Sequence, residues 1–414
     1  MRIAVVGSGI AGLASAWLLS RRHDVVLLER DNRLGGHTHT VDVDGHAIDT
    51  GFIVYNETTY PLLTRLFAEL GVATQPSDMS WSVHCVRCNL EYAGSPGGVF
   101  AQPRRLADSG HWGMLAEIVR FNRIGRRDVD IAAAHRWTVR QLADAHGLSP
   151  GMRRHYLYPM AAAIWSSGTA DVDMFPAAML LRFFDNHGLL RTTGHLQWRT
   201  VTGGASRYVD ALVAPLGSGV HRGLGAAGIV RDVDRVRIRL TDGAALDVDH
   251  VVIATHADVA LALLDDATVE EKEALGVWRY AVNRAVLHTD ATVLPSRRAA
   301  RAAWNYRLED CSAPQEQVSL SYGMNRLQSL ASEDDYVVTL NGSDSVAPAS
   351  IRRRMDYRHP VFTQDAVDSQ SAFAALNGPN RTSFAGAYQR YGFHEDGLWS
   401  AVRVARQLGV VWPT

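Results

Sequence analysis

The stretch that most limits what this chain can become is its first, MRIAVVGSGIAGLASAWLLSRRHDVVLLERD. An apolar run, Ile3 to Val6, leads straight into Gly7-x-Gly9-x-x-Gly12. A helical pattern comes next, with Leu13, Trp17 and Leu18 on one face, and a second apolar run, Val25 to Leu28, ends in Glu29. Strand, glycine loop, helix and acid-tipped strand together predict a βαβ unit that holds a dinucleotide. Gly7 serves the tight turn and Gly9 admits a diphosphate against the backbone. Ile10 and Ala11 open the helix beside it, and Gly12 lets helix and strand close up. Glu29 suits ribose hydroxyls and would repel a 2′-phosphate, which disfavours NADP. The motif alone leaves NAD and FAD open.

A chain of 414 residues exceeds one ordinary core and calls for two domains, or one interrupted by another. Lys plus Arg total 42 against 43 acidic residues, so nothing global points to nucleic acid. Three cysteines, Cys85, Cys88 and Cys311, make no disulfide framework, and no secretory pattern stands at Met1. A cytoplasmic protein is expected. No apolar run is long enough to span a bilayer, which leaves peripheral contact with a membrane surface open. HCVRC places His84, Cys85 and Cys88 together, but a structural zinc site needs four ligands and no second CxxC or HxxxH is present downstream. The thiols are therefore read as incidental and no metal is expected. In GGHTHT, His37 and His39 should point to opposite sides of an extended segment.

The segments after the first motif favour a longer cofactor. ERDNRLGGHTHT supplies Arg30, Arg33 and the pair Gly35-Gly36, a basic side chain and bare backbone able to clamp a diphosphate. AIDTGFIVYN then brings Asp49, Thr50, Gly51, Phe52 and Ile53 at the end of another strand. Near the C-terminus, GAYQRYGFHEDGLWSAVRVARQLG reads as an amphipathic helix from Leu398 onward, with Gly397 at its N-terminal end. Two readings stand side by side there. The helix end could hold an electron-rich group on its free N–H groups, or Glu395 or Asp396 could simply cap it.

ERDNRLGGH resembles the motif by which amine-oxidase-like flavoproteins hold FAD, and further segments resemble that superfamily in the same order. VTGGASRYVDALVAPLG looks like the return into the FAD domain, and DHVVIATHADVALALL, with Ala254-Thr255, like a second flavin-side strand. RTSFAGAYQRYGFHEDGLWS is similar to the closing motif. The resemblance implies a Rossmann-like α/β FAD-binding domain with an interleaved α+β substrate domain. It also implies that Gly386, Ala387, Phe393, His394, Glu395, Asp396 and Gly397 lie against the flavin. Two positions depart from it: Ala387 stands where an acid usually comes after the glycine, and His37 replaces the arginine of GGR.

Residues 1–75, 201–265 and 376–414 are expected to build the FAD domain, with an antiparallel meander in the middle piece, and 76–200 and 266–375 the substrate domain. In this superfamily amine oxidation usually uses a lysine near the flavin. The single lysine, Lys272, lies in the charged stretch DDATVEEKEALG and reads as a surface residue. DTGFIVYNETTYPLLTRLFAELGV, PMAAAIWSSG, WNYRLED and GFHEDGLWSAVRVA resemble a narrower bacterial group, often encoded beside enzymes similar to cyclopropane-fatty-acid synthase. That resemblance implies oxidation, as desaturation, of methylated fatty acyl chains, towards furan fatty acids in some members. Tyr391, His394 and Glu395 are the expected catalytic side chains. Trp165, Phe175, Leu180, Phe183 and Phe184 could line an apolar channel. Arg104, Arg105, Arg120, Arg123, Arg126 and Arg127, interleaved with Trp112, Met114, Ile118 and Phe121, suit an anionic membrane surface. A lipid-modifying methyltransferase is the expected protein partner. Alternatives are another apolar substrate such as a polyene, an amine, or a flavin-bound scaffold without turnover.

Overall fold

A computed structural model describes residues 1–191 and 193–412. Its opening segment forms strand β1 (Arg2–Val6), helix α1 (Ile10–Leu19) and strand β2 (Asp24–Glu29). Ile3, Ala4, Val5 and Val6 are all buried, as a strand covered on both faces requires. The chain then leaves this layer through a hairpin (Thr40–Val43 and His46–Asp49) and helix α2 (Pro61–Glu69). The second domain begins with the hairpin β3 (Trp81–Cys85) and β4 (Leu90–Ala93). A helical lobe comes next, containing α3 (Ser109–Arg127), α4 (Tyr158–Trp165) and α5 (Ala177–Asn186). On its return the chain adds β5 (Val220–Arg222) and β6 (His250–Ile253) to the first layer. Between them lies an antiparallel meander of Ala226–Arg231, Val236–Leu240 and Ala245–Val248. Its alternation buries Val236, Ile238 and Leu240 on one face.

A second excursion supplies β7 (Arg279–His288), β8 (Trp304–Leu308), β9 (Leu320–Gly323), β10 (Val337–Leu340) and β11 (Ile351–Val361). Strand β12 (Thr382–Phe384) and helix α6 (His394–Gln407) complete the first domain. The result is a parallel sheet of order β5-β2-β1-β6-β12 and a seven-stranded sheet of order β11-β7-β10-β9-β8-β3-β4. All strands of the parallel sheet come from 1–75, 201–265 and 376–414, and all strands of the larger sheet from 76–200 and 266–375. A small sheet of Tyr55–Asn56, Trp198–Val201 and Thr74–Ser77 sits where the chain crosses between them.

One correction concerns α6. It starts at His394, not near Gly397, because Asp396 at its third position accepts the Phe393 N–H at 2.9 Å and closes the first turn early. Gly397 lies inside the helix. A Cβ there would come within 2.8 Å of Ile10 Cγ2, so this glycine lets α6 lie directly against α1. The two helix N-termini are thereby brought side by side.

Candidate functional site

The glycine loop packs as its spacing requires. Gly7 has φ +99°, and a Cβ on Gly12 would sit 1.9 Å from the Gly7 carbonyl oxygen. A Cβ on Gly9 would meet nothing within 4 Å, so this side of the loop is open. The Gly35-Gly36 turn closes over it, since a Cβ on Gly36 would lie 2.9 Å from Gly9 Cα. Ile10, Ala11 and Gly12 begin α1, and their N–H groups have no acceptor among the described residues. At the start of α6 the N–H groups of His394 and Glu395 are likewise free. Adjacent N-terminal helix ends with unused donors form a site for an anionic or electron-rich group.

Around this cradle the side chains hold the backbone in place. Glu29 accepts the Ser8 N–H at 2.9 Å and the Asp31 N–H at 2.9 Å, which fixes it at the rim of the loop. Arg33 does not reach outward as a free clamp. Its guanidinium donates to the carbonyls of Thr38 and Gly36, both at 2.7 Å, and so shapes the glycine turn. Arg30 is exposed, with Asp31 3.8 Å away, and is not gathered into the site. Thr50 donates to the His39 carbonyl at 2.9 Å and meets the Tyr357 hydroxyl at 2.6 Å, so its hydroxyl is used internally. A Cβ on Gly51 would lie 2.0 Å from the His37 carbonyl oxygen, which forces the two segments into contact. Ala254 comes directly after β6, its N–H bonded to Val6 at 2.8 Å, and Thr255 continues beside the Gly7 turn. Gly386 lies under the Tyr388 ring, its N–H held by Ser400 Oγ at 2.8 Å, and Ala387 starts the turn that leads to Phe393.

The catalytic trio expected from the closing motif separates. His394 stacks on Phe52 at 3.7 Å, and its Nε2 lies 3.0 Å from Thr38 Oγ1 and 3.1 Å from the Tyr208 hydroxyl. Burial, with His37 nearby, lowers its pKa to about 3, so it is neutral. Glu395 is a correction. Its two carboxylate oxygens accept the N–H groups of Leu62 and Leu63, each at 3.0 Å, and so cap α2. Tyr391 is a second correction: its carbonyl accepts from Trp165 Nε1 at 3.1 Å, and its ring lies outside the cavity lining. Asp396 caps α6 and Glu395 caps α2 instead, while the free His394 and Glu395 N–H groups leave the end of α6 open to an electron-rich group.

Beyond the helix ends opens a cavity of about 950 Å³. His37, Gly51, Phe52, Ile53, Phe393 and His394 form its inner end. Ile118 of α3, Ala163 and Trp165 of α4 and Phe183 of α5 form its walls. Phe175, Leu180 and Phe184, also expected there, are buried in the core behind. The expected divergence of His37 and His39 does not occur, because a turn replaces the extended segment and both rings meet Tyr357. His37 also lies edge-on to His256 and His359, at 5.9 and 5.1 Å. Burial lowers His37 to about 4 and His256 to about 3, and pushes His359 well down. Asn283 donates to His359 Nδ1 at 2.9 Å, which leaves the ring proton on Nε2. Thr38, Tyr208, His256, Asn283 and His359 escaped sequence reasoning. They reach the site from different elements; Thr38, Tyr208 and His256 lie inside quoted motifs, while Asn283 and His359 lie in none.

The open Gly9 face, the glycine turn above it and the paired helix ends fit a dinucleotide flavin. The family model for flavin containing amine oxidoreductases matches residues 10–409. The chain belongs to that family. FAD is its cofactor. Over 249 residues it is 30% identical to a Mycobacterium tuberculosis protein named as a flavin-containing monoamine oxidase, AofH, covering 56% of this chain and 51% of that one. Over 287 residues it is 26% identical to hydroxyneurosporene desaturase of Rubrivivax gelatinosus, covering 61% and 52%. The chain thus spans about half the length of the curated relatives it matches. Cyclohexylamine oxidase from Brevibacterium oxydans shares the fold, with a TM-score of 0.70, 16% identity and coverage of 98% and 99%. So does a CLA-producing fatty acid isomerase from P. acnes, with 0.68, 15% and 98% of each chain.

Two further expectations meet the structure here. Lys272 is exposed on the helix Val269–Gly276 and does not line the cavity. Cys85 and Cys88 are not isolated thiols, for Cys88 Sγ lies 3.1 Å from both Cys85 Sγ and Cys311 Sγ. His84 takes no part and faces Glu91 at 3.7 Å.

Proposed function

We propose that this flavoprotein oxidises a long apolar acyl chain, removing hydrogen to leave a double bond, with a methylated fatty acyl group as substrate. The observation that carries the reading is the cavity, apolar along its walls and continuous with His37, Gly51 and His394 at the cofactor end. Asp78 is the one carboxylate in the lining among the described residues, and Arg326 pairs with it at 3.2 Å. No free anion is left there to hold an ammonium group. Arg191, exposed and also part of the lining, offers a cation to a carboxylate or phosphate head. Trp81 Nε1, Trp304 Nε1 and Asn122 Oδ1 are buried there without partners among the described residues and are available to a polar group on the ligand. The absence of lysine from the lining and the fatty acid named for a protein of the same fold point the same way.

Bound FAD supplies the acceptor for a hydride. The residues of this chain hold the substrate by burial, at about 0.8 kcal/mol for each CH₂, and exclude water. The second hydrogen leaves as a proton. His394, joined through Nε2 to the hydroxyls of Thr38 and Tyr208, is placed to relay it along that chain, while burial keeps the ring itself from holding a lasting charge. His359, fixed by Asn283 with its proton on Nε2, can donate a hydrogen bond into the cavity.

On α3, Leu106 before it and Trp112 and Val119 within it are exposed, as are Arg120, Arg123, Arg126 and Arg127. Met114 and Phe121, expected among the membrane-facing residues, turn into the core. The exposed set borders the cavity wall and suits peripheral attachment to an anionic bilayer, where a lipid-modifying methyltransferase would also work. No helix of the described residues is long and apolar enough to cross a membrane. Anaerobic bleaching of the bound flavin over a panel of methylated phospholipids, free fatty acids, polyenes and amines tests the proposal. Bleaching by methylated acyl chains is expected. Bleaching by amines alone would overturn it, and bleaching by nothing would favour the scaffold alternative.

A further inference from the structure

Cys85 and Cys88 share one turn and Cys311 comes 223 residues after Cys88, yet the substrate domain gathers all three. Cys85 ends β3, and the turn Val86–Asn89 beyond it carries Cys88. β8 runs parallel to β3 with Leu308 opposite Cys85, so Cys311, three residues later, arrives beside the same turn. His155 comes from the helical lobe, on the wide turn Arg153–Leu157, and the Tyr92 hydroxyl holds its carbonyl at 2.7 Å. Cys88 Sγ is 3.1 Å from Cys85 Sγ, 3.1 Å from Cys311 Sγ and 3.4 Å from His155 Nε2. All four donor atoms lie within 4.8 Å of one another.

We propose that Cys85, Cys88, His155 and Cys311 form a structural zinc site. Three sulfurs and one imidazole nitrogen are a donor set characteristic of tetrahedral zinc. Zn–S bonds of about 2.3 Å and Zn–N bonds of about 2.0–2.1 Å place tetrahedral donors roughly 3.5–3.8 Å apart, within the spread seen here. A disulfide would need its sulfurs at about 2.05 Å, well inside the 3.1 Å of either close pair. The CxxC turn is shaped for a metal. The N–H groups of Val86 and Arg87 are pinned to the carbonyls of Leu308 and Glu309, at 2.8 and 3.2 Å. Three thiolates on a divalent ion leave one net negative charge. Arg105, whose guanidinium lies 3.2 Å from the Cys88 carbonyl, and Arg154 beside His155 offset it. Cys85 is buried and Cys88 exposed, so the ion can enter from solvent.

With four protein ligands no position remains for water or substrate, which makes the role structural. The ion ties the tip of the β3–β4 hairpin, the segment after β8 and the helical lobe into one unit. Tyr92 and Tyr156, close neighbours of these ligands in the chain, line the cavity. Zinc therefore braces the cavity wall without touching the chemistry.

The test uses the flavin-loaded protein from zinc-supplemented cells, passed over a chelating resin and assayed for metal. About one tightly held zinc per chain is expected. After replacement by cobalt, an intense thiolate-to-cobalt charge-transfer band and strong tetrahedral visible bands should appear. Cys311→Ser and His155→Ala should each lose most of the metal and melt at lower temperature with flavin content kept. If either variant fails to fold, the cobalt spectrum of the unaltered protein still decides. Unaltered, reduced protein that binds neither zinc nor cobalt would overturn the proposal. So would one free thiol rather than three in the unfolded, unreduced and metal-stripped chain, which would mark a disulfide.

Discussion

The two halves of this molecule recognise their ligands by opposite means. The cofactor half uses backbone: the open face of Gly9, the turn at Gly36, and the free N–H groups at the starts of α1 and α6. The substrate half uses side chains, with Ile118, Ala163, Trp165 and Phe183 walling a cavity whose surface is more apolar than polar. Backbone recognition is intolerant, because one added Cβ fills the space the ligand needs. Apolar side-chain recognition is graded, because each methylene contributes about 0.8 kcal/mol independently of its exact partner.

The strongest way to break this contrast is Gly9→Val. A side chain there meets no protein atom within 4 Å of its Cβ, so the fold should stand while the diphosphate path is blocked. Flavin affinity should fall by about a hundredfold or more, roughly 2.7 kcal/mol, giving a colourless but folded protein by absorbance and circular dichroism. A yellow Gly9→Val protein would place the diphosphate elsewhere.

Next in size is Ala163→Asp. Ala163 is 1% exposed but borders the cavity, so the new carboxylate would stand in the path of the proposed acyl chain. Introducing an unpaired polar group into such a site costs about 1–3 kcal/mol, a loss of roughly five- to 150-fold in acyl-dependent flavin reduction. Flavin content should be kept. Loss of both together would mean that the two halves are not separable at α4.

This contrast also explains which features are legible in the letters. Gly7, Gly9, Gly12 and Glu29 act through local spacing, so their places follow from the sequence alone. The start of α6 was misplaced by one turn because Asp396 caps from inside the helix, and Glu395 looked catalytic although it serves α2, more than three hundred residues away. His359 and Asn283 face each other only because β7 pairs with β11. The cysteine cluster depends on β3 lying beside β8. No local pattern carries such pairings.

The junction between the halves should be the acid-sensitive part. His37, His256, His359 and His394 are all pushed below the usual histidine value by burial, to about 4, 3, well down and about 3. Each binds fewer protons folded than unfolded, so stability from these groups is present above about pH 6.5 and is lost as pH falls towards their folded values. Asp49 and Asp396, raised by burial to about 7, act in the opposite sense, costing stability as pH rises from about 4 to 7. These histidines, with His39 also lowered to about 4, outweigh Asp49, Asp396 and Glu395, whose value burial also raises, between about pH 4 and 6.5, so the thermal midpoint of the flavin-loaded protein should fall by several degrees from pH 7 to pH 5. A midpoint that rises on acidification would show that the carboxylates dominate.

The smallest effect sharpens the comparison at its boundary. Tyr391 and His394 are three residues apart in the same closing segment, yet only His394 borders the cavity. Tyr391→Phe removes a hydroxyl and keeps the carbonyl that Trp165 uses, as well as the ring that packs 5.9 Å from Phe183. Flavin reduction should therefore stay within about twofold, less than 0.5 kcal/mol, whereas His394→Ala, which removes the link to Thr38 and Tyr208, should slow it by at least about tenfold. The comparison is made with flavin content matched, so that reduction rate alone is read. If Tyr391→Phe slowed reduction as much as His394→Ala, the tyrosine hydroxyl would have to enter the cavity when substrate is bound. The closing segment would then belong to the substrate half as much as to the cofactor half.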